Sequence, residues 1–212
     1  MKKFVFLSLL TALFFVSNAQ MIDRGQVLDY RLHKGFYLSM SIGPNFPSIT
    51  IEEVRVTDMK ITGTGAQFDI KIGGAVQENL ILHATLASNS ITGPKVTSFG
   101  TSQNSSNKMA MGEAMIGAGM TYYFMPANIF VSGSAGLGNF TLIDNDNDIN
   151  ISTDRGFSFQ LKAGKEWWVS RRWGLGVAVS YMKTMVTNKP GGGTEEKLNS
   201  NNFAIVFNAT LN

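Results

Sequence analysis

No cysteine occurs in the 212 residues, so a disulfide framework and a cysteine-ligated zinc site are both excluded. Charge is scarce as well: Asp, Glu, Lys and Arg make up 16% of the chain against 44% hydrophobic residues, with two histidines and five prolines. That apolar fraction argues against wholesale disorder, and the length fits one or two ordinary domains. The formal charge of +3 falls to +1 for a chain beginning near Gln20, because Lys2 and Lys3 drop out and 16 basic residues remain against 15 acidic. So slight an excess points to no nucleic-acid partner. After residue 16, no apolar run approaches the roughly 18 residues of a membrane-crossing helix.

What is present starts with an export signal. Met1-Lys2-Lys3 is a positive n-region, Phe4 to Val16 is an almost unbroken apolar run, and Ser17-Asn18-Ala19 supplies small residues for signal peptidase. The run is too short for a spanning helix, which needs about 20 residues. No cysteine follows it, so lipid attachment there is excluded. Residues 1–19 are therefore expected to be a cleaved signal peptide and 20–212 the mature chain.

The recurring pattern in the mature chain has period two, the mark of a strand with two unlike faces. Phe36, Leu38, Met40 and Ile42 form one apolar set, separated by small or polar residues. The split recurs seven more times: around 68–73, 80–86, 113–124, 129–137, 157–164, 174–181 and 203–211. The connections alternate in length. Short turns lie around Ala75 to Asn79, Met125 to Asn128 and Val169 to Arg172, whereas Pro44–Ala66, Ser88–Gly112, Asn139–Gly156 and Met182–Asn202 are long. Long loops on one rim and short turns on the other predict an all-β fold, an eight-stranded antiparallel up-and-down transmembrane β-barrel.

The polar set decides which face points outward. It holds Gly43, Gly73, Gly117, Gly119, Gly136, Gly164, Gly174 and Gly176 with several Ser and Ala, where a water-exposed face would be rich in Lys, Glu and Thr. Small residues suit the lumen of an eight-stranded barrel, which is just wide enough for side chains to fill. The large apolar side chains are then expected to face lipid. Outward Phe157 and Trp167 are ten residues apart, which is about 33 Å of strand, or about 25 Å along the membrane normal at a tilt near 40°, the height of the apolar band. Aromatics fall at both ends of this face. Phe68, Phe157, Tyr181 and Phe203 lie toward the long loops; Phe36, Tyr122, Phe124, Trp167 and Trp173 lie toward the turns, as two interfacial girdles.

The hairpins Tyr122-Tyr123-Phe124-Met125-Pro126-Ala127-Asn128-Ile129-Phe130-Val131-Ser132-Gly133-Ser134 and Gly164-Lys165-Glu166-Trp167-Trp168-Val169-Ser170, running into Trp173-Gly174-Leu175-Gly176-Val177-Ala178, resemble the small OmpA/OmpX-type barrels of Gram-negative outer membranes. The similarity covers essentially the mature chain. It implies tasks in envelope structure, adhesion or surface interaction, with outer-membrane lipids including lipopolysaccharide around the barrel and the barrel assembly machinery as partner during insertion. Members commonly finish on an aromatic residue, whereas this chain ends Ala209-Thr210-Leu211-Asn212. With nothing after the eighth strand, no periplasmic peptidoglycan-binding domain is expected.

Candidate chemistry is sparse. Asp69, Lys71, Glu113, Lys162 and Glu166 fall on lumen faces, where opposite charges are expected to pair and plug the interior; the competing reading is a gated ion or proton path. His83, the one histidine on a predicted lumen face, has no nucleophile or carboxylate at motif spacing and is expected to be hydrogen-bonded filler. Asp144, Asp146 and Asp148 have the 1, 3, 5 spacing of a calcium loop, but Ile149 replaces the turn glycine and Arg155 the bidentate glutamate, so a solvated acidic tip is expected. Gly191-Gly192-Gly193 lacks the Lys-Ser/Thr of a phosphate loop, and Gly136-Leu137-Gly138 does not continue as a dinucleotide fingerprint. No catalytic residue, metal ligand or cofactor site is assigned. The expectation is a non-enzymatic outer-membrane barrel with a filled lumen and displayed loops. The alternatives are a small pore, a membrane-embedded lipid-modifying enzyme and a soluble lipocalin-like carrier.

Overall fold

The computed structural model describes the backbone of residues 32–53, 56–189 and 195–212, and every side chain there except 53 and 56–58. The expected signal peptide and Gly191-Gly192-Gly193 lie outside the described residues. The strands are β1 (Phe36–Glu53), β2 (Val56–Thr62), β3 (Gly65–Gln77), β4 (Leu80–Thr92), β5 (Lys95–Ser98), β6 (Thr101–Asn104), β7 (Met109–Phe124), β8 (Ile129–Asp144), β9 (Ile149–Ser152), β10 (Gly156–Trp168), β11 (Trp173–Asn188) and β12 (Glu196–Leu211).

Eight of them, β1, β3, β4, β7, β8, β10, β11 and β12, pair antiparallel in chain order. β12 then returns to β1, with Leu211 opposite Leu38 and Phe207 opposite Ile42, so the sheet closes without a free edge. The fold is an eight-stranded antiparallel up-and-down barrel, as the alternation predicted. β2, β5, β6 and β9 are satellites on the long-connection rim. β2 pairs with the far end of β1, β5 with β2, β6 with β5, and β9 with the end of β8.

Side-chain facing follows the expected parity. Tyr37, Ser39, Ser41, Asp69, Lys71, His83, Thr85, Thr121, Ser132, Ser158, Gln160, Lys162, Asn208 and Thr210 are buried inside. Phe36, Ile42, Ile72, Leu86, Ile116, Leu137, Leu161, Val179 and Phe207 are exposed on the outer wall, where Phe207 keeps 65% of its surface open. Large apolar groups outside and polar groups inside are the reverse of a water-soluble carrier, and suit a wall immersed in hydrocarbon.

Lumen glycines do more than save space. Gly117 stands directly opposite Gly136 on the neighbouring strand. A Cβ on Gly136 would run into the Ile116 carbonyl and the Gly117 Cα, and one on Gly73 into the Leu82 carbonyl and the His83 Cα. At these points the backbones of adjacent strands curl toward each other, and only glycine fits.

The long connections are shorter than the sequence reading placed them. β1 runs on to Glu53 through Pro44 and Pro47, β4 reaches Thr92, β7 starts at Met109, β8 reaches Asp144, and β11 and β12 extend to Asn188 and from Glu196. The two prolines read as loop. Each is paired on one side only, Pro44 with Ala66 of β3 where the β1–β12 ladder is interrupted, and Pro47 with Asn202 of β12 between the end of the β1–β3 ladder and the start of the β1–β2 ladder. The amphipathic phase inverts along the extensions of β1, β4, β8, β11 and β12. Inward Ile49, Ile61, Ile91, Met111, Phe140, Val186 and Leu198 pack into a buried apolar cluster. On the same strands the outward positions become Ser48, Thr50, Ser88, Ser90, Asn139, Lys183, Thr187, Lys197, Asn199 and Asn201. The barrel wall thus projects past the apolar band into a zone with water outside and hydrocarbon inside.

Candidate functional site

Two regions carry chemistry, the polar lumen and the apolar mouth above it. In the lumen, Lys162 on β10 donates to both carboxylate oxygens of Asp69 on β3, at 2.8 and 2.7 Å, and to Ser41 Oγ at 2.8 Å. β3 and β10 stand on opposite sides of the eight-strand ring, so this ion pair bridges the full width of the barrel. Gln67 on β3 donates to Ser180 on β11 at 3.0 Å, and Lys71 to Ser132 on β8 at 2.6 Å. Such direct side-chain bonds across a lumen leave its centre occupied.

Opposite lumen charges were expected to pair, and of the five only Asp69 and Lys162 do so. Glu113 instead accepts from Ser200, from Asn89 at 3.1 Å and from Asn202 at 3.3 Å. Glu166 accepts from Thr210 at 2.7 Å, Tyr123 at 3.4 Å and Asn208 at 3.5 Å. Hydroxyls and amides do the work of counter-ions, which suits strands rich in Ser, Thr and Asn. His83 has the Thr85 and Thr121 hydroxyls at 3.0 Å from its two ring nitrogens, so it is hydrogen-bonded on both sides.

Sequence reasoning missed His33, which precedes β1 and closes the turn-side mouth. Its ring stacks on Tyr123 with centroids 3.4 Å apart, and its Nδ1 and Nε2 each lie 2.8 Å from an amide oxygen, of Asn212 and Asn128 respectively. The His33 backbone N–H donates to Asn79 Oδ1 at 3.2 Å. Asn79 and Asn128 sit in turns at φ of 65° and 52°, the left-handed region that asparagine tolerates, and each aims its side chain at His33. Burial pushes the imidazole pKa below its ordinary 6.5, against the opposing pull of the two amides. No signal in the sequence marks this residue, since it lies outside any alternating stretch.

The aromatic girdles are present. Phe157, Phe159, Tyr181 and Phe203 form a continuous row on β10 to β12, with successive centroids 6.2, 6.0 and 4.8 Å apart. Phe46, opposite Phe203, extends the row onto β1. It was missed because it falls in the proline-marked stretch. On the turn side Tyr122 meets Phe124 edge-on at 4.9 Å, and Lys165 lies over Trp167 at 5.8 Å.

At the mouth, the inverted strand ends and the satellites β2, β5 and β9 enclose a cavity of about 540 Å³. Its walls include Met59, Ile61, Met111, Phe140, Leu142 and Leu198, with polar groups confined to a rim around Asp154, Asn188 and Glu196. The acidic triplet lies nearby without forming an ion cage. Asp144 accepts from the Asp146 amide and from Asn147 Nδ2, and Asp146 pairs with Lys108 at 2.8 Å. No cluster of three ligating side chains exists among the described residues.

No protein-family model and no curated protein sequence matches the chain. Solved structures do. Neisserial surface protein A superposes with a TM-score of 0.55 at 10% identity, over 84% of this chain and 96% of its own. The outer membrane protein OprG from Pseudomonas aeruginosa superposes with a TM-score of 0.51 at 12% identity, over 84% of this chain and 97% of its own. At such identities the likeness is one of fold, and with the closed ring and the apolar outer wall it makes this chain a small eight-stranded barrel of the outer-membrane type.

Proposed function

We propose that this chain is an integral outer-membrane protein, exported by a cleaved signal peptide over residues 1–19, that does not conduct and does not catalyse, and that acts by presenting its long-connection rim for envelope structure, adhesion or surface interaction. The observation that carries this reading is the bridge from Lys162 to Asp69 between opposite walls, reinforced by the Gln67–Ser180 and Lys71–Ser132 bonds. A pore needs a water column where these groups stand. Girdle aromatics and bare apolar strands support contact with outer-membrane lipids including lipopolysaccharide, and a barrel of this kind needs the barrel assembly machinery for insertion.

Planar-bilayer recording on the purified protein tests the non-conducting reading. The expected trace is flat, and steady openings in the nanosiemens range would refute it. The alternative of a small pore predicts such openings, and predicts that Asp69→Ala with Lys162→Ala enlarges them.

A further inference from the structure

We propose that the mouth cavity is a binding cup for a neutral, apolar small molecule that arrives from outside. The inference rests on the barrel reading only for which rim faces outward.

Three observations carry it. First, the cup is lined by carbon and thioether. Met59, Ile61, Met111, Phe140, Leu142 and Leu198 face a space of about 540 Å³, within the range of small-molecule sites. Ile151 on β9, opposite Leu142, keeps 58% of its surface open. A wall this apolar is costly to leave in water, and the strand framework prevents its collapse. Methionine side chains adapt to irregular occupants.

Second, the rim selects against anions. Among the described residues, Asp154 and Glu196 stand on it with one cation, Lys189, which is already paired with Glu195 at 3.2 Å. Asn188 donates to Glu196 at 3.3 Å and accepts from the Asp154 amide at 3.0 Å. Among the described residues that line the rim, no free cation remains to hold a carboxylate or phosphate headgroup. Third, the cup is blind. Ile49, Ile91, Met111 and Val186 are packed beneath it, and below them Glu113 is tied to Ser200, Asn202 and Asn89. An apolar molecule therefore stops at this floor, which makes the cup a receptor and not a conduit.

The test uses the mature chain in phosphatidylcholine nanodiscs, with carbon-labelled methionine methyls read by NMR. Folding is checked by the difference in gel mobility between boiled and unboiled sample, so failure of the barrel is seen separately from failure of binding. On titration with n-octanol, the Met59 and Met111 methyl signals should shift and saturate, while outer-wall Met40 and Met120 do not follow that isotherm. n-Octanoate should bind at least tenfold more weakly. Ile151→Asp, on an exposed hairpin that the barrel does not need for closure, should abolish the saturable shift and leave gel mobility unchanged. The proposal is overturned if Met59 and Met111 fail to saturate, if they move in parallel with Met40 and Met120, if octanoate binds as well as octanol, or if signals respond to bilayer lipid alone.

Discussion

At the scale of single residues, the lumen is held by a few charges whose partners lie far away in sequence. Asp69 and Lys162 are separated by 93 positions and are both buried. Replacing Asp69 by Asn leaves a buried ammonium without its counter-ion, and breaking such a pair from one side costs about 3–5 kcal/mol. Asp69→Asn should therefore lower the denaturant midpoint strongly, and Asp69→Asn with Lys162→Met should recover more than half of that loss. Equal losses in the single and double variants would remove the pair from the account. His33 makes a different prediction. Its folded-state pKa lies below 6.5 because burial disfavours the cation, so the unfolded chain binds more protons than the folded one in the window beneath 6.5. The contribution is then intact above pH 6.5 and is lost as pH falls below it. Urea midpoints compared at pH 7.5 and 5.5 should drop more for the natural chain than for His33→Phe, which keeps an aromatic ring against Tyr123 without the titration.

At the scale of elements, β1, β4, β8, β11 and β12 each have two amphipathic segments of opposite phase. Ile116 and Thr50 both point outward, but only Ile116 lies in the apolar band. In vesicles, Ile116→Arg should cost about 2–4 kcal/mol if it sits near the bilayer midplane, whereas Thr50→Arg should change stability by no more than about 0.5 kcal/mol. Similar costs at both positions would abolish the phase inversion as a membrane boundary. Gly136→Val addresses the close approach of β7 and β8. Because the added Cβ meets backbone and not a movable side chain, the variant should lose the compact unboiled band on gels, whereas Leu137→Val beside it should keep it. The lower halves of the strands were readable because their apolar face alternates without interruption. Their upper halves were read as loops at Pro44, Pro47, Ser88 and Asn139 for a physical reason: the solvent swaps sides there, and a pattern search tuned to one phase sees the swap as an end.

At the scale of the whole molecule, closure between β1 and β12 turns a row of amphipathic strands into a wall with no unpaired edge, which hydrocarbon requires. The protein should remain in carbonate-washed membranes and migrate differently boiled and unboiled, and removing residues 203–212 should abolish both properties because β1 and β11 would each lose a partner. Alternation, turn length and a glycine-rich polar face were enough, from the amino-acid order alone, to specify the number of barrel strands, their facing and the identity of the lumen charges, since a period of two is a local property of extended backbone. Which lumen groups meet was not local. The Lys162–Asp69 bridge, the hydroxyl and amide shells of Glu113 and Glu166, the seat of His33 and the apolar cup all arise only when the ring closes and brings opposite walls within one side-chain length of each other.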